Sequence, residues 1–203
     1  ELDRVLPVVS ALAADGIIVS VDTSKPEVAS AALSVGAEAI NDVNGLGDPQ
    51  MRRVVAGSGA GVVIMHMQGS PRTMQVEPIY DDVVIDVAAF LSGRVEAAVS
   101  DGIDRNSIMV DPGIGFGKTL DHNLKLLKCI DQIAEVAPVL LGVSRKSLFG
   151  RLLGIDNPSD RDRASAVALA LAVERGVRMF RVHNVATSAE AARLAWAIVR
   201  ATP

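Results

Sequence analysis

The chain has 203 residues, 49% hydrophobic and 22% charged, which suits one soluble globular domain with a substantial core. Its net charge of −4, with no block of like charge, gives no electrostatic support for a nucleic-acid or membrane-surface role. The one cysteine, Cys129, excludes an internal disulfide framework, fits a reducing cytoplasm and is expected as a small buried hydrophobe on a helix.

Aromatics make up only 3%, so the core must come from Val, Ile, Leu, Ala and Met, which pack well between helices and a parallel sheet. No run of about 18 apolar residues predicts a membrane span. The opening Glu1-Leu2-Asp3-Arg4 does not have the form of a signal peptide.

The first predicted element is an amphipathic helix, Leu2–Ala14, with Leu2, Val5, Leu6, Val9 and Leu12 on one face. A strand follows over 17–21, then a helix start at Pro26 with Ser24 before it. Strands are predicted over 38–41 and 61–65. Next comes a helix over 81–99, carrying Val84, Val87, Ala88, Leu91, Val95 and Val99. A strand over 107–110, a helix over 124–134, a strand over 139–143 and a helix over 164–174 come after it. The last pair is a strand over 178–182 and a helix over 188–200. Gly36, Gly102 and Gly176 stand where helices should end. The strands are nearly continuous in apolar residues, as strands buried on both faces should be. Irregular loops are predicted over 68–78, 113–121 and 144–162.

Regular βα repetition predicts a parallel sheet with right-handed crossovers. Two architectures fit: an open doubly wound sheet, which six strands satisfy at face value, and a (β/α)8 barrel, which needs eight. Opening on a helix is unusual for either.

The polar residues collect at one end of the strands. The C-terminal strand ends read Asp22-Thr23-Ser24-Lys25, Asn41-Asp42-Val43-Asn44, His66-Met67-Gln68-Gly69, Asp111-Pro112-Gly113, Ser144-Arg145-Lys146-Ser147 and Arg181-Val182-His183-Asn184. The N-terminal ends open on residues such as Ile17, Gly61 and Val139. In both architectures ligands bind at the C-terminal ends.

The glycine loop after Asp111 meets neither nucleotide motif. A Walker A loop needs glycine five places before Gly117, where Pro112 stands, and Gly113, Gly115 and Gly117 alternate where a dinucleotide loop needs G-x-G-x-x-G. These glycines still allow close backbone approach to a flat ligand, with Phe116 available to cover a ring; a flexible turn with a solvated Lys118 is the plainer alternative. Asp22 and Asp111 could pair as acid and base, or bind a metal with His66 or His183, but no compact ligand spacing is present. His66 is expected as a satisfied core histidine, and His122, at a helix start, in a capping or exposed role. Strand alternation would put Arg181 and His183 on one face, which suits a phosphate-bearing ligand.

Together these segments resemble the dihydropteroate synthases of the pterin-binding (β/α)8-barrel family. The resemblance rests on Asp22–Lys25, Asn41–Val43, Met65-His66-Met67-Gln68-Gly69-Ser70-Pro71-Arg72-Thr73-Met74-Gln75, Asp111–Lys118, Ser144–Ser147 and Arg181–His183, in family order along essentially the whole chain. It implies a single-domain TIM barrel lacking its first two βα units here, with Leu2–Ala14 as the helix after the family's second strand.

It also implies a reaction in which the amine of 4-aminobenzoate attacks the methylene carbon of a dihydropterin pyrophosphate. Pyrophosphate leaves with Mg2+ assisting, and 7,8-dihydropteroate forms. Asp111 would accept the two adjacent donors of the pterin edge. Asn41 and Asp22 would take further pterin contacts, Asp22 also stabilising positive charge on the ring. Met65 and Phe116 would be apolar walls, and Lys146 would contact the pterin. Ser144 would line the aminobenzoate pocket, with Gly142 among the substrate contacts. Arg181 and His183 would hold the departing pyrophosphate. No metal ligand is expected in this chain: the Mg2+ ligand would belong to the first two βα units, so the chain alone is expected to be poorly active. The resemblance further implies a cytoplasmic homodimer and a sulfonamide target. Asn184 stands where members usually carry Asp. A pterin-barrel methyltransferase and a non-catalytic pterin-binding fragment are the alternatives. The methyltransferase would have no use for Ser144–Ser147 or for Arg181 and His183.

Overall fold

The structure, a computed structural model, describes residues 1–202, which group into two compact units. The first comprises Glu1–His66 and Ala89–Val110; the second comprises Met67–Ala88 and the chain from Asp111 onward.

In the first unit, α1 (Leu2–Ala14), β1 (Ser20–Asp22), α2 (Pro26–Ser34), β2 (Ala39–Asp42), α3 (Pro49–Ser58) and β3 (Gly61–Met65) alternate. Helix α4 (Val83–Ser100) and β4 (Ile108–Asp111) complete a parallel sheet of order β1-β2-β3-β4. Ile40, Val62, Ile64 and Met65 are fully buried, each worth about 1.5–3 kcal/mol in transfer from water. The register sets Asp22 beside Asn41 and Asn41 beside Val63, so the polar strand ends fall at one level.

Strand β1 starts later than the predicted 17–21, and Ile17 and Ile18 are exposed. The reason is local: the Ile17 N–H donates to Leu12 O, closing α1, and β1 is an edge strand with one partner. Helix α3 was not predicted, because Arg52, Arg53 and Gly57 dilute its apolar face. Its start was nonetheless written in Asp48-Pro49: the Asp48 carboxylate accepts from Gln50 N and Pro49 opens the helix.

In the second unit, α5 (Leu120–Lys128), α6 (Ile130–Ala134), β5 (Leu140–Leu141), α7 (Ser147–Leu153), α8 (Asp162–Glu174), β6 (Met179–Phe180) and α9 (Val185–Val199) follow one another, with β5 and β6 parallel. Leu126, Ile130, Ile133, Leu141, Leu148 and Leu169 form its core. The single predicted helix over 124–134 is two helices. The break falls at Cys129, whose N–H closes α5 on Lys125 O while its carbonyl accepts from Gln132 N. Cys129 is therefore part-exposed at a junction, not buried on a helix. Helix α7 lies inside the predicted loop 144–162. The only tryptophan, Trp196 on α9, has the Arg178 guanidinium 4.0 Å from its ring centroid and that of Arg200 at 5.4 Å. Among the described residues no helix is long and apolar enough to cross a membrane.

Candidate active site

In the first unit the β1–β2 register produces a direct contact: Asn41 Nδ2 donates to Asp22 Oδ2 at 3.0 Å. Asn41 is buried while Asp22 is exposed, so one oxygen of a solvent-facing carboxylate is held by a buried amide. The next residue, Asp42, turns the chain, accepting from the Asn44 and Leu46 N–H groups. Burial raises its pKa, and those two N–H groups oppose the shift. Met65 is fully buried. His66 is buried with its ring edge-on to Phe90, centroids 4.9 Å apart, as expected for a core histidine.

The second unit centres on Asp111. Its side chain is almost wholly buried; Oδ1 accepts from Gly113 N at 2.8 Å and Oδ2 from Arg181 Nη2 at 3.2 Å. Burial pushes the carboxyl up, while the Gly113 N–H and the charges of Arg181, Lys146 and Lys118 pull it down. Gly142 explains how the arginine comes so near. A Cβ there would lie 3.0 Å from Arg181 Nη2 and 3.4 Å from Asp111 Oδ2, so the pair passes over a bare α-carbon. Lys146 places Nζ 4.2 Å from the Phe116 ring centroid, a cation–π contact with the predicted ring-covering residue. Burial lowers its pKa.

Ser144 and His183 also meet, the hydroxyl accepting from His183 N at 3.1 Å and lying 3.0 Å from its Nδ1. Strand β6 ends at Phe180, so the alternation argument does not place Arg181 and His183. Arg181 bonds Asp111 and His183 bonds Ser144 instead. Arg145, at φ 59°, makes a bidentate pair with Asp162 at 2.7 and 2.9 Å. Asn184 donates to the same carboxylate at 3.0 Å and caps α9 by accepting from Thr187 N. The Arg145 bonds, then that of Asn184, hold the Asp162 pKa down at about 2. An Asp at 184 would bring two carboxylates together, so Asn here agrees with its neighbour.

Lys118 rules out the alternative of a flexible turn with a solvated lysine. It is not solvated: only 1% of its surface is exposed, and Nζ donates to Phe116 O at 2.9 Å. Burial drops its pKa to about 7. Between about pH 7 and the ordinary lysine range the unfolded chain binds a proton that the folded chain does not, so folding gains stability as pH rises. Replacing Lys118 by Met removes this term. The stability of the unsubstituted protein minus that of Lys118→Met is expected to rise by on the order of 2 kcal/mol from pH 7 to 9 in urea unfolding. A difference independent of pH would refute the depressed value.

Other residues were missed as well. Asn123 (buried), Tyr80 and Gln75 all bond the glycine loop, and Asp162 holds Arg145. Only Asn123 had a signal, an amide on the first turn after a cap. Thr119 and His122 form that cap reciprocally, as expected for His122. Among the described residues no three of His, Cys, Asp and Glu converge so as to hold a metal ion.

A sequence model of the family described as pterin binding enzyme matches residues 1–183. The chain belongs to the pterin-binding enzyme family. It is 41% identical to the dihydropteroate synthase of Escherichia coli K12 over 203 residues, covering 99% of this chain and 72% of that protein. It superposes on the Thermus thermophilus dihydropteroate synthase, solved in complex with 6HMPPP, with a TM-score of 0.93 and 44% identity, over 98% of this chain and 79% of that one. The Xanthomonas albilineans enzyme in complex with 7,8-dihydropteroate gives a TM-score of 0.92 at 42% identity, covering 100% and 75%. The fold is thus the α/β-barrel fold of these pterin-binding enzymes, with parallel strands throughout the pairings described.

Proposed function

We propose that the chain is a transferase of folate synthesis that condenses 4-aminobenzoate with 6-hydroxymethyl-7,8-dihydropterin pyrophosphate. The observation that carries this reading is the buried Asp111 carboxylate, bonded to Arg181 and subject to the charges of Lys146 and Lys118. It offers a paired acceptor to the amino and ring N–H donors of a pterin edge. Within the first unit, the Asp22–Asn41 pair offers an acceptor and a donor of its own, the polar groups that the family resemblance assigns to pterin contacts. Phe116 is an apolar wall for that edge, and Lys146, over Phe116, makes a polar contact to it.

The chemistry needs no protein nucleophile. The amine nitrogen of 4-aminobenzoate bonds to the pterin methylene carbon, whose bond to the pyrophosphate oxygen breaks, and the amine loses a proton to solvent. Negative charge on the leaving group is stabilised by Arg181 and His183, and the resemblance assigns the positive charge on the ring to a carboxylate in the position of Asp22. Ser144 fixes His183 and borders the aminobenzoate site together with Gly142. Mg2+ assisting the departure of pyrophosphate belongs to the same proposal, with Arg181 and His183 as this chain's own contacts to the leaving group; among the described residues no three of His, Cys, Asp and Glu converge to hold the ion.

We place the reaction in the cytoplasm, where the lone thiol of Cys129 stays reduced. A homodimer belongs to the same proposal. It is supported by an apolar cleft in the second unit, lined by Leu148, Leu152, Leu153, Val167 and Leu171, several of them exposed. The test is direct: incubation with both substrates should release dihydropteroate and pyrophosphate in equal amounts, slowly for this chain alone. Pyrophosphate release that is indifferent to 4-aminobenzoate would overturn the assignment.

A further inference from the structure

The glycine loop between Asp111 and α5 is held in an unusual way. Every carbonyl from Gly115 to Thr119 accepts a hydrogen bond from a side chain. Gly115 O takes Gln75 Nε2 at 2.6 Å, Phe116 O takes Lys118 Nζ at 2.9 Å, and Gly117 O takes the Tyr80 hydroxyl at 2.7 Å. Asn123 Nδ2 donates to Thr119 O at 2.7 Å and to Lys118 O at 3.4 Å. Its Oδ1 reaches back to accept from Gly115 N at 2.7 Å. Asn123 thus bonds both arms of the loop, and it is 3% exposed. The other limit is steric. A Cβ on Gly117, at φ 63°, would lie 2.6 Å from Gln68 O, so the loop is pressed against the segment after β3.

A loop bonded at five successive carbonyls has few conformations left to lose when a ligand binds. The two residues it presents are those at stake for a flat ring: Phe116, under the Lys146 ammonium, and Gly113, whose N–H fixes one Asp111 oxygen. Phe116 N also donates to Gly113 O at 3.0 Å, so the turn bearing the carboxylate contact and the ring wall move as one piece.

We propose that Asn123 is a positioning residue for pterin recognition: it buckles the glycine loop so that Phe116 and Asp111 keep a fixed spacing, with Tyr80 supporting the same loop from the segment after β3. This rests on the assignment of Asp111 and Phe116 to the pterin. Asn123 touches no substrate in this account and acts through the loop.

Asn123→Asp is the informative substitution, because it keeps the acceptor for Gly115 N and turns two donated bonds into oxygen–oxygen repulsion. The Kd of the dihydropterin pyrophosphate, measured by calorimetry, is expected to rise about tenfold to a hundredfold. At saturating pterin the KM for 4-aminobenzoate should stay within about twofold, since that site lies with Ser144. A merely structural role would lower Tm and the active fraction but leave the pterin Kd of the folded fraction unchanged, and that result would overturn the proposal. Should Asn123→Asp not fold, Tyr80→Phe removes the hydroxyl that bonds Gly117 O and is expected to weaken pterin binding by about threefold to tenfold; an unchanged Kd there would overturn it equally. If the unsubstituted protein does not bind the pterin pyrophosphate, the functional reading fails, and the positioning role with it. If it binds and both variants match it, only the positioning role fails.

Discussion

Asp111→Asn is expected to cut turnover of dihydropterin pyrophosphate by about 10²–10³-fold, because a charged, doubly accepting group is replaced by one that must donate. A pterin edge presents two donors side by side. An amide offers one acceptor, and its NH2 would meet a second donor head-on. The protein side of the site suffers too: Arg181, Lys146 and Lys118 lose the carboxylate whose charge acts on them. Kinetics with each substrate varied in turn should show the loss in kcat/KM for the pterin, with far less change in KM for 4-aminobenzoate. Circular dichroism would confirm that the variant is folded. Turnover within about threefold of the unsubstituted protein would remove Asp111 from the pterin site.

Arg181→Ala is expected to lower turnover by about 10²–10⁴-fold, in the range of other arginines that stabilise phosphoryl charge. Two causes combine. The leaving pyrophosphate loses a forked cation, and Asp111 loses a hydrogen-bonded charge at 3.2 Å. With that charge gone, burial pushes the Asp111 carboxyl higher still. Only the ionised form accepts both pterin donors, so activity falls as pH drops through this pKa. The acid limb of the pH–rate profile should therefore move to higher pH in Arg181→Ala. Arg181→Lys should restore the position of that limb more fully than the rate, because an ammonium supplies charge without the guanidinium fork. The Asp111→Asn, Arg181→Ala double variant should lose less than the product of the single losses, since the two side chains share one contact. An unshifted acid limb would mean that Arg181 does not govern the charge on Asp111.

Much of this was legible in the chain. The βα rhythm and strand β3 follow from apolar periodicity, because the buried run is long enough to repeat, and helix α1 follows from an apolar stripe of which only Val9 is buried here. The polar strand ends gave the strand termini at which Asp22 and Asn41 stand in the first unit and Asp111 and Ser144 in the second. What stayed hidden depends on contacts between distant positions. The Asp111–Arg181 pair joins residues 70 apart, and no local pattern announces it. A solvated Lys118 was only the alternative reading of its loop, and nothing local announced how deeply it is buried. Its burial comes from Tyr80 and the carbonyl of Phe116, neither of which the loop's own composition reveals. Helices α3 and α7 were lost for the opposite reason: each is short, and polar or glycine positions interrupt its apolar face.

The placement of the two largest ring chromophores gives the molecule separate optical reporters. The chain holds one tyrosine and one tryptophan. Tyr80 has its hydroxyl on the glycine loop, and its ionisation is pushed up to about 12, by burial first and by the Asp86 charge second. Trp196 stands on α9 between two guanidinium groups. Ultraviolet titration of the phenolate thus monitors the loop that carries Phe116, while indole emission monitors α9. A substitution that loosens the loop without unfolding α9 would shift the first signal and spare the second.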